Sequence, residues 1–82
     1  MLHDRKDYQE RIQDSTHIIP DDEPVFLIRA QDMLGPDIVD QWAEWAEEEG
    51  AKENIVKHAK EHAQAMRKWQ GDHGSKIPDM PY

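Results

Sequence analysis

Apolar positions cluster in the middle and second half of the chain, in three stretches bounded by proline and glycine. The first is Pro24-Val-Phe-Leu-Ile-Arg-Ala-Gln-Asp-Met-Leu34, a dense apolar run with one arginine and one aspartate inside it. Asp22 suits an N-cap, Glu23 favours the positive end of a helix, Pro24 suits the first helical position and Gly35 a stop. These signals predict a helix over residues 23–34, against a strand reading favoured by Val25-Phe-Leu-Ile28. At 100° per residue, Phe26, Leu27, Ala30, Met33 and Leu34 share one face, and Val25, Ile28, Arg29 and Asp32 the other. Such a helix has no polar back, so both faces are expected to meet protein, centrally or at a subunit interface.

The second stretch predicts a helix over residues 36–49, started by Pro36 and stopped by Gly50. Ile38, Val39, Trp42, Ala43, Trp45 and Ala46 fall on one side, and Asp37, Asp40, Gln41, Glu44, Glu47 and Glu48 on the other. The third predicts a helix over residues 52–70, ended by Gly71. Ile55, Ala59, Ala63 and Met66 line its centre, with Val56 on one edge and His58, His62, Ala65 and Trp69 along the other. Lys57, Lys60, Arg67 and Lys68 form its outer face. The acidic and basic helices are expected to pack antiparallel across Gly50 with their charged flanks facing.

The ends are weaker. Residues 1–20 are polar; Asp4 to Gln13 predicts one short helix with Tyr8 and Ile12 four apart. Asp14-Ser-Thr-His17 reads as a turn and Ile18-Ile19-Pro20 as an extended lead into the next element. Residues 71–82 are turn-rich and expected to be extended. The expected fold is all-α: a single small helical domain over residues 1–82, with three main helices, a short N-terminal helix and an extended C-terminal tail.

Composition narrows the functional classes. With 82 residues and no cysteine, no disulfide or zinc-thiolate can reinforce the core, leaving oligomerisation as the way to enlarge it. Net charge is −8, and residues 21–49 hold ten acids against one base. That sign disfavours nonspecific nucleic-acid binding. No apolar run reaches the ~18 residues of a membrane span, and no signal-peptide pattern opens the chain. The expected compartment is the cytoplasm, that of the host if a phage encodes the chain.

Candidate chemistry is sparse. Arg29 and Asp32, three apart, read either as a structural ion pair or as a guanidinium on an anionic ligand with an aspartate orienting it. Tyr8 and Arg11 read as a partly packed surface patch or as an aromatic-plus-guanidinium face. Trp42, Trp45 and Trp69 read as core or interface before ligand platform. The acidic back of residues 36–49 is a solvated face, or else a mimic of nucleic-acid phosphates. His58-x-x-x-His62 has the spacing of two metal ligands, but Glu61 is misplaced for a zincin; a third ligand would have to come from His3, His17 or His73. The favoured role of this pair is a polar edge of the core, with no metal and no cofactor expected. Ser15 and Ser75 sit in loops without a nucleophile elbow, and the glycines form no phosphate cradle. Nothing here points to an enzyme.

Ile19-Pro-Asp-Asp-Glu-Pro-Val-Phe-Leu-Ile-Arg-Ala-Gln-Asp32, a Trp-Ala pair, and His62-Ala-x-Ala-Met-x-x-Trp69 resemble a family of small phage and prophage proteins with a Glu-Pro-Val-Phe-Leu-x-Arg-Ala-Gln-Asp core. The resemblance spans most of residues 18–80. It implies a counter-defence protein by analogy of class. One expectation is a homo-oligomer that sequesters a small nucleotide-derived signal, with Arg29, Gln31, Asp32, Arg11 and Tyr8 lining an inter-subunit pocket and Trp42, Trp45 and Trp69 at the interface. The alternative is an acidic interaction protein that binds and blocks a host defence protein.

Overall fold

A computed structural model describes residues 1–78. The elements run β1 (Leu2–His3), α1 (Lys6–Arg11), β2 (Pro24–Val25), α2 (Gly35–Glu48) and α3 (Glu53–His73). They form two compact units, Met1–Leu27 and Ile28–Pro78. The expected all-α bundle of three main helices is therefore corrected. There are two long helices, one short one and a two-stranded parallel sheet, and no helix covers residues 23–34.

The reason lies in where the backbone of that segment finds its partners. Glu23 N donates to Pro20 O at 3.1 Å, closing a turn with the residues that had looked like a helix cap. Pro24 and Val25 then pair in register with Leu2 and His3, and Leu2 N donates to Glu23 O at 2.8 Å. An isolated helix of a dozen residues is marginal in water. Here β-branched and aromatic residues favour the extended form, and non-local hydrogen bonds are available to it. Phe26 and Arg29 are exposed rather than sheathed by protein.

In the first unit, α1 buries Tyr8, and the Arg5 guanidinium lies 4.3 Å from the centre of its ring. Arg5 is held there by two bonds to the Asp7 carboxylate, at 3.1 and 2.7 Å. The expected turn at residues 14–17 is present: His17 N donates to Asp14 O at 3.1 Å, and Ile19 N to Asp14 Oδ2 at 2.7 Å. That second bond is the first cause holding the Asp14 carboxyl below the ordinary carboxylate range.

The second unit is an antiparallel helical hairpin. Its turn is a Schellman motif: Gly50, at φ +85°, donates to Glu47 O at 3.0 Å and Ala51 to Ala46 O at 2.9 Å. Ala43, Val56, Ala63 and Met66 are buried between the helices, with both alanines fully enclosed, which allows close backbone approach. Gly35 opens α2 rather than ending a helix before it. A Cβ there would stand 2.9 Å from both Arg29 O and Met66 Cε, so glycine answers to packing. Gly71 does not stop α3, which continues to His73; the left-handed residue that ends it is Gly74, at φ +88°. Part of the expected tail is thus helical, and residues 79–82 lie outside the described residues.

Candidate functional site

Ion pairs join the two helices of the hairpin along one flank. Arg67 on α3 donates to Asp40 Oδ2 at 2.6 Å and to Asp37 Oδ1 at 2.9 Å, while Lys60 lies 3.6 Å from Glu47. Those two hydrogen bonds, the Asp40 one first, raise the guanidinium's affinity for its proton. As the α2 partner advances from 37–40 to 47, the α3 partner retreats from 67 to 60. Both charged flanks therefore lie on one side of the hairpin, as their sequence placement led one to expect.

The opposite side is apolar and unpartnered within the described residues. Taking Ala43 and Ala63 as the points of contact, rotation by 100° per residue brings Ile38, Trp42 and Trp45 of α2 to this side. It brings Ile55, His58, His62 and Trp69 of α3 to the same side. Trp42, Trp45 and Trp69 remain 51%, 54% and 39% exposed as whole residues. Ile38 and Ile55 are exposed with them, as is Leu34 at the head of α2. On α3 the stripe contains histidines but no Asp, Glu, Lys or Arg, and on α2 the first such residue is Glu49 at the helix end. Taking ~250 Å² for a whole tryptophan side chain, the three indoles present about 350 Å² of surface. With the three aliphatic side chains, the face reaches the upper end of the roughly 300–600 Å² of the largest patch on a typical monomer.

Trp69 is fixed on this face by the last turn of α3. The His73 ring stacks on the indole with centroids 4.3 Å apart, and its Nδ1 lies 3.0 Å from Trp69 O. His58 and His62 are exposed on the face itself. Among the described residues, no group of three or more His, Cys, Asp or Glu side chains is placed to hold a metal ion.

The five expected ligand-binding residues divide between the two units. Tyr8 is buried under Arg5, and Arg11 is exposed at the end of α1. Arg29, Gln31 and Asp32 share one loop of the hairpin unit. Asp32 Oδ1 accepts the Leu34 amide at 2.8 Å, so its carboxylate braces the entry to α2. Gln31 O accepts from Lys76 N at 2.8 Å, and Met33 N donates to Lys76 O at 2.9 Å.

One residue missed in the sequence organises this loop. Gln70 Nε2 donates to Ala30 O at 2.9 Å and to Asp32 O at 3.0 Å. The signal for it was available: Gln70 falls seven residues after Ala63 and four after Met66, on the inward stripe of α3, where a polar side chain needs a partner. No family model matches the chain, nor does any curated protein or solved structure. No helix among the described residues is long and apolar enough to cross a membrane.

Proposed function

We propose that the chain is a small non-catalytic binding protein that works as a homo-oligomer, assembled through the Trp42–Trp45–Trp69 face of its hairpin. The observation that carries this reading is the exposure of these three tryptophans, which helical rotation places on the side away from the ion pairs. Three features favour a second copy as its occupant. Among the described residues no large side chain is fully buried, so a single chain makes a thin core. The chain's strong negative charge would repel a copy, but this face is nearly free of formal charge. Its exposed area approaches the ~800 Å² per partner of a standard interface.

Sedimentation velocity on the whole chain tests this. A species larger than one chain is expected, and Trp42→Glu with Trp45→Glu should reduce it to a monomer of retained helicity. Glu44→Gln, on the charged side, should leave the assembly intact. A wild-type protein that is monomeric at all concentrations would remove the reading.

Counter-defence is the role that the phage resemblance adds. Within it, sequestration of a nucleotide-derived signal is favoured by one observation. The exposed Arg29 springs from a loop clamped by Gln70 and Lys76, a fixed mount from which a guanidinium can fork onto phosphate. A thermal-shift series with cyclic di- and trinucleotides and cyclic ADP-ribose isomers tests it, since tight binding raises the midpoint by linkage. The expected result is a rise with at least one of them in wild type and none in Arg29→Ala. The nucleic-acid-mimic alternative loses weight, because Arg67 and Lys60 offset part of the acidic flank.

A further inference from the structure

We infer that His58 and His62 form a two-point clamp for a zinc-class divalent cation, completed by the same pair from a second copy across the tryptophan face. The inference rests on the assembly proposed above and adds a ligand to it.

The geometry comes from an uninterrupted helix. α3 runs from Glu53 to His73, so side chains four apart stand one above the other, with Cβ atoms about 5–6 Å apart. That separation lets two imidazoles on one face converge on a single ion, as it does in any helical His-x-x-x-His ligand pair. Both rings are exposed. Among the described residues, neither takes part in a hydrogen bond, an ion pair or a ring stack. The contrast is His73, whose ring is committed to Trp69 through both a stack and Nδ1. The other two histidines of the hairpin unit are thus the uncommitted ones, and they share a helix face.

The donor set selects the ion. Neutral imidazole suits zinc, copper and nickel, whereas magnesium and calcium take oxygen. Glu61, the nearest acid in sequence, is turned to the other flank, 3.9 Å from Lys57. Two imidazoles fill half of a four-coordinate shell, and no third donor from the same chain joins them among the described residues. The site is therefore incomplete in one chain. His62 lies seven residues before Trp69 on the face proposed to meet the second copy, which is where two further imidazoles can be supplied. A bridging ion then stabilises the assembled state and not the separated chains, so association should tighten as the ion is added.

The test uses the untagged full chain, in sedimentation equilibrium with EDTA and then with zinc sulfate. Zinc should tighten self-association about tenfold or more, the linkage expected at roughly ten times the ion's dissociation constant. Native mass spectrometry should find one zinc per two chains. Magnesium should do nothing, and His58→Ala with His62→Ala should abolish the zinc response while keeping helicity and the assembly seen in EDTA. One zinc per chain without tighter association overturns the clamp, as does a response that survives the double substitution. An oligomer in EDTA that ignores zinc sinks the clamp alone, and a chain that stays monomeric with or without zinc sinks the assembly too. A monomer in EDTA that pairs with zinc keeps the clamp and removes the metal-free assembly.

Discussion

Gly35 stands directly beneath the carbonyl oxygen of Arg29, so close that a Cβ on the glycine would lie 2.9 Å from that oxygen. Met66 Cε would be equally near, and Ile28 Cγ2 would follow at 3.4 Å. A methionine tip can move, but the Arg29 carbonyl belongs to a loop held by Gln70 and Lys76 and cannot yield without breaking those bonds. Gly35→Ala should therefore destabilise the chain by about 1–3 kcal/mol, the usual range for overpacking. Gly71 is the control. It lies inside α3 with open space around it, and Gly71→Ala should stabilise by about 0.5–1 kcal/mol through helix propensity. Urea unfolding followed by circular dichroism reads both, and equal effects of one sign would contradict the account.

Gln70 should behave as a structural clamp on that loop. Its amide donates to two loop carbonyls, Ala30 O and Asp32 O, the second of which also accepts the Gly35 amide at 2.9 Å. Gln70→Ala leaves both without that donor and should cost about 1–3 kcal/mol. The more telling readout is local. Amide exchange at Met33 and Lys76, which pair across the loop, should accelerate far more than exchange at Ala63 in the middle of α3. Uniform acceleration along the chain would mean that Gln70 supports the whole hairpin rather than the loop.

The hairpin was legible because its signals are local. Pro36 and Gly50 mark the first of its helices, apolar residues recur at helical spacing, and acids and bases separate onto flanks that the short turn must bring together. Residues 23–34 were illegible for the converse reason. Asp22 and Pro24 can begin a helix or close a turn, and the choice fell to partners far away in sequence: Leu2 and His3 for the strand, Gln70 and Lys76 for the loop. Gly35 misled in the same way, since a glycine needed for a close approach looks identical to one that ends a helix. For the proposed site, the same spacing marked the tryptophans as core or interface and His58 and His62 as a polar edge of the core, whereas the structure leaves both histidines exposed. Gln70 escaped because a polar residue on an inward stripe announces a need for a partner without naming it.

The first unit should loosen in acid through Asp14. Its carboxylate accepts the Ile19 amide at 2.7 Å, with further bonds from the Ile18 amide and Thr16 holding its proton affinity down. A carboxyl depressed by folding stabilises the structure above its unfolded pKa, and that contribution is lost as pH falls through the folded value. The turn at residues 14–17 should thus be fully closed at neutral pH and open below the ordinary carboxylate range. The Ile19 amide resonance should move with the titration of Asp14 and lose its protection there. Asp14→Asn should remove the pH dependence, and an Ile19 amide indifferent to both changes would show the bond to be absent in solution.

Orientation of the hairpin should depend on Arg67. Its guanidinium joins two acids of α2, and reversing its charge would set three acids against each other along that flank. Arg67→Glu should lower the thermal midpoint, more in dilute buffer than in molar salt, because exposed charges are screened over a few ångströms at high ionic strength. Adding Asp40→Arg should recover part of the loss by restoring an opposite pair at the same place. The coupling between the two substitutions, read as a double-mutant cycle, isolates this contact from the cost of each change alone. Zero coupling would mean that the apolar stripe from Ala43 to Val56 orients the helices unaided, and that the ion pairs merely follow.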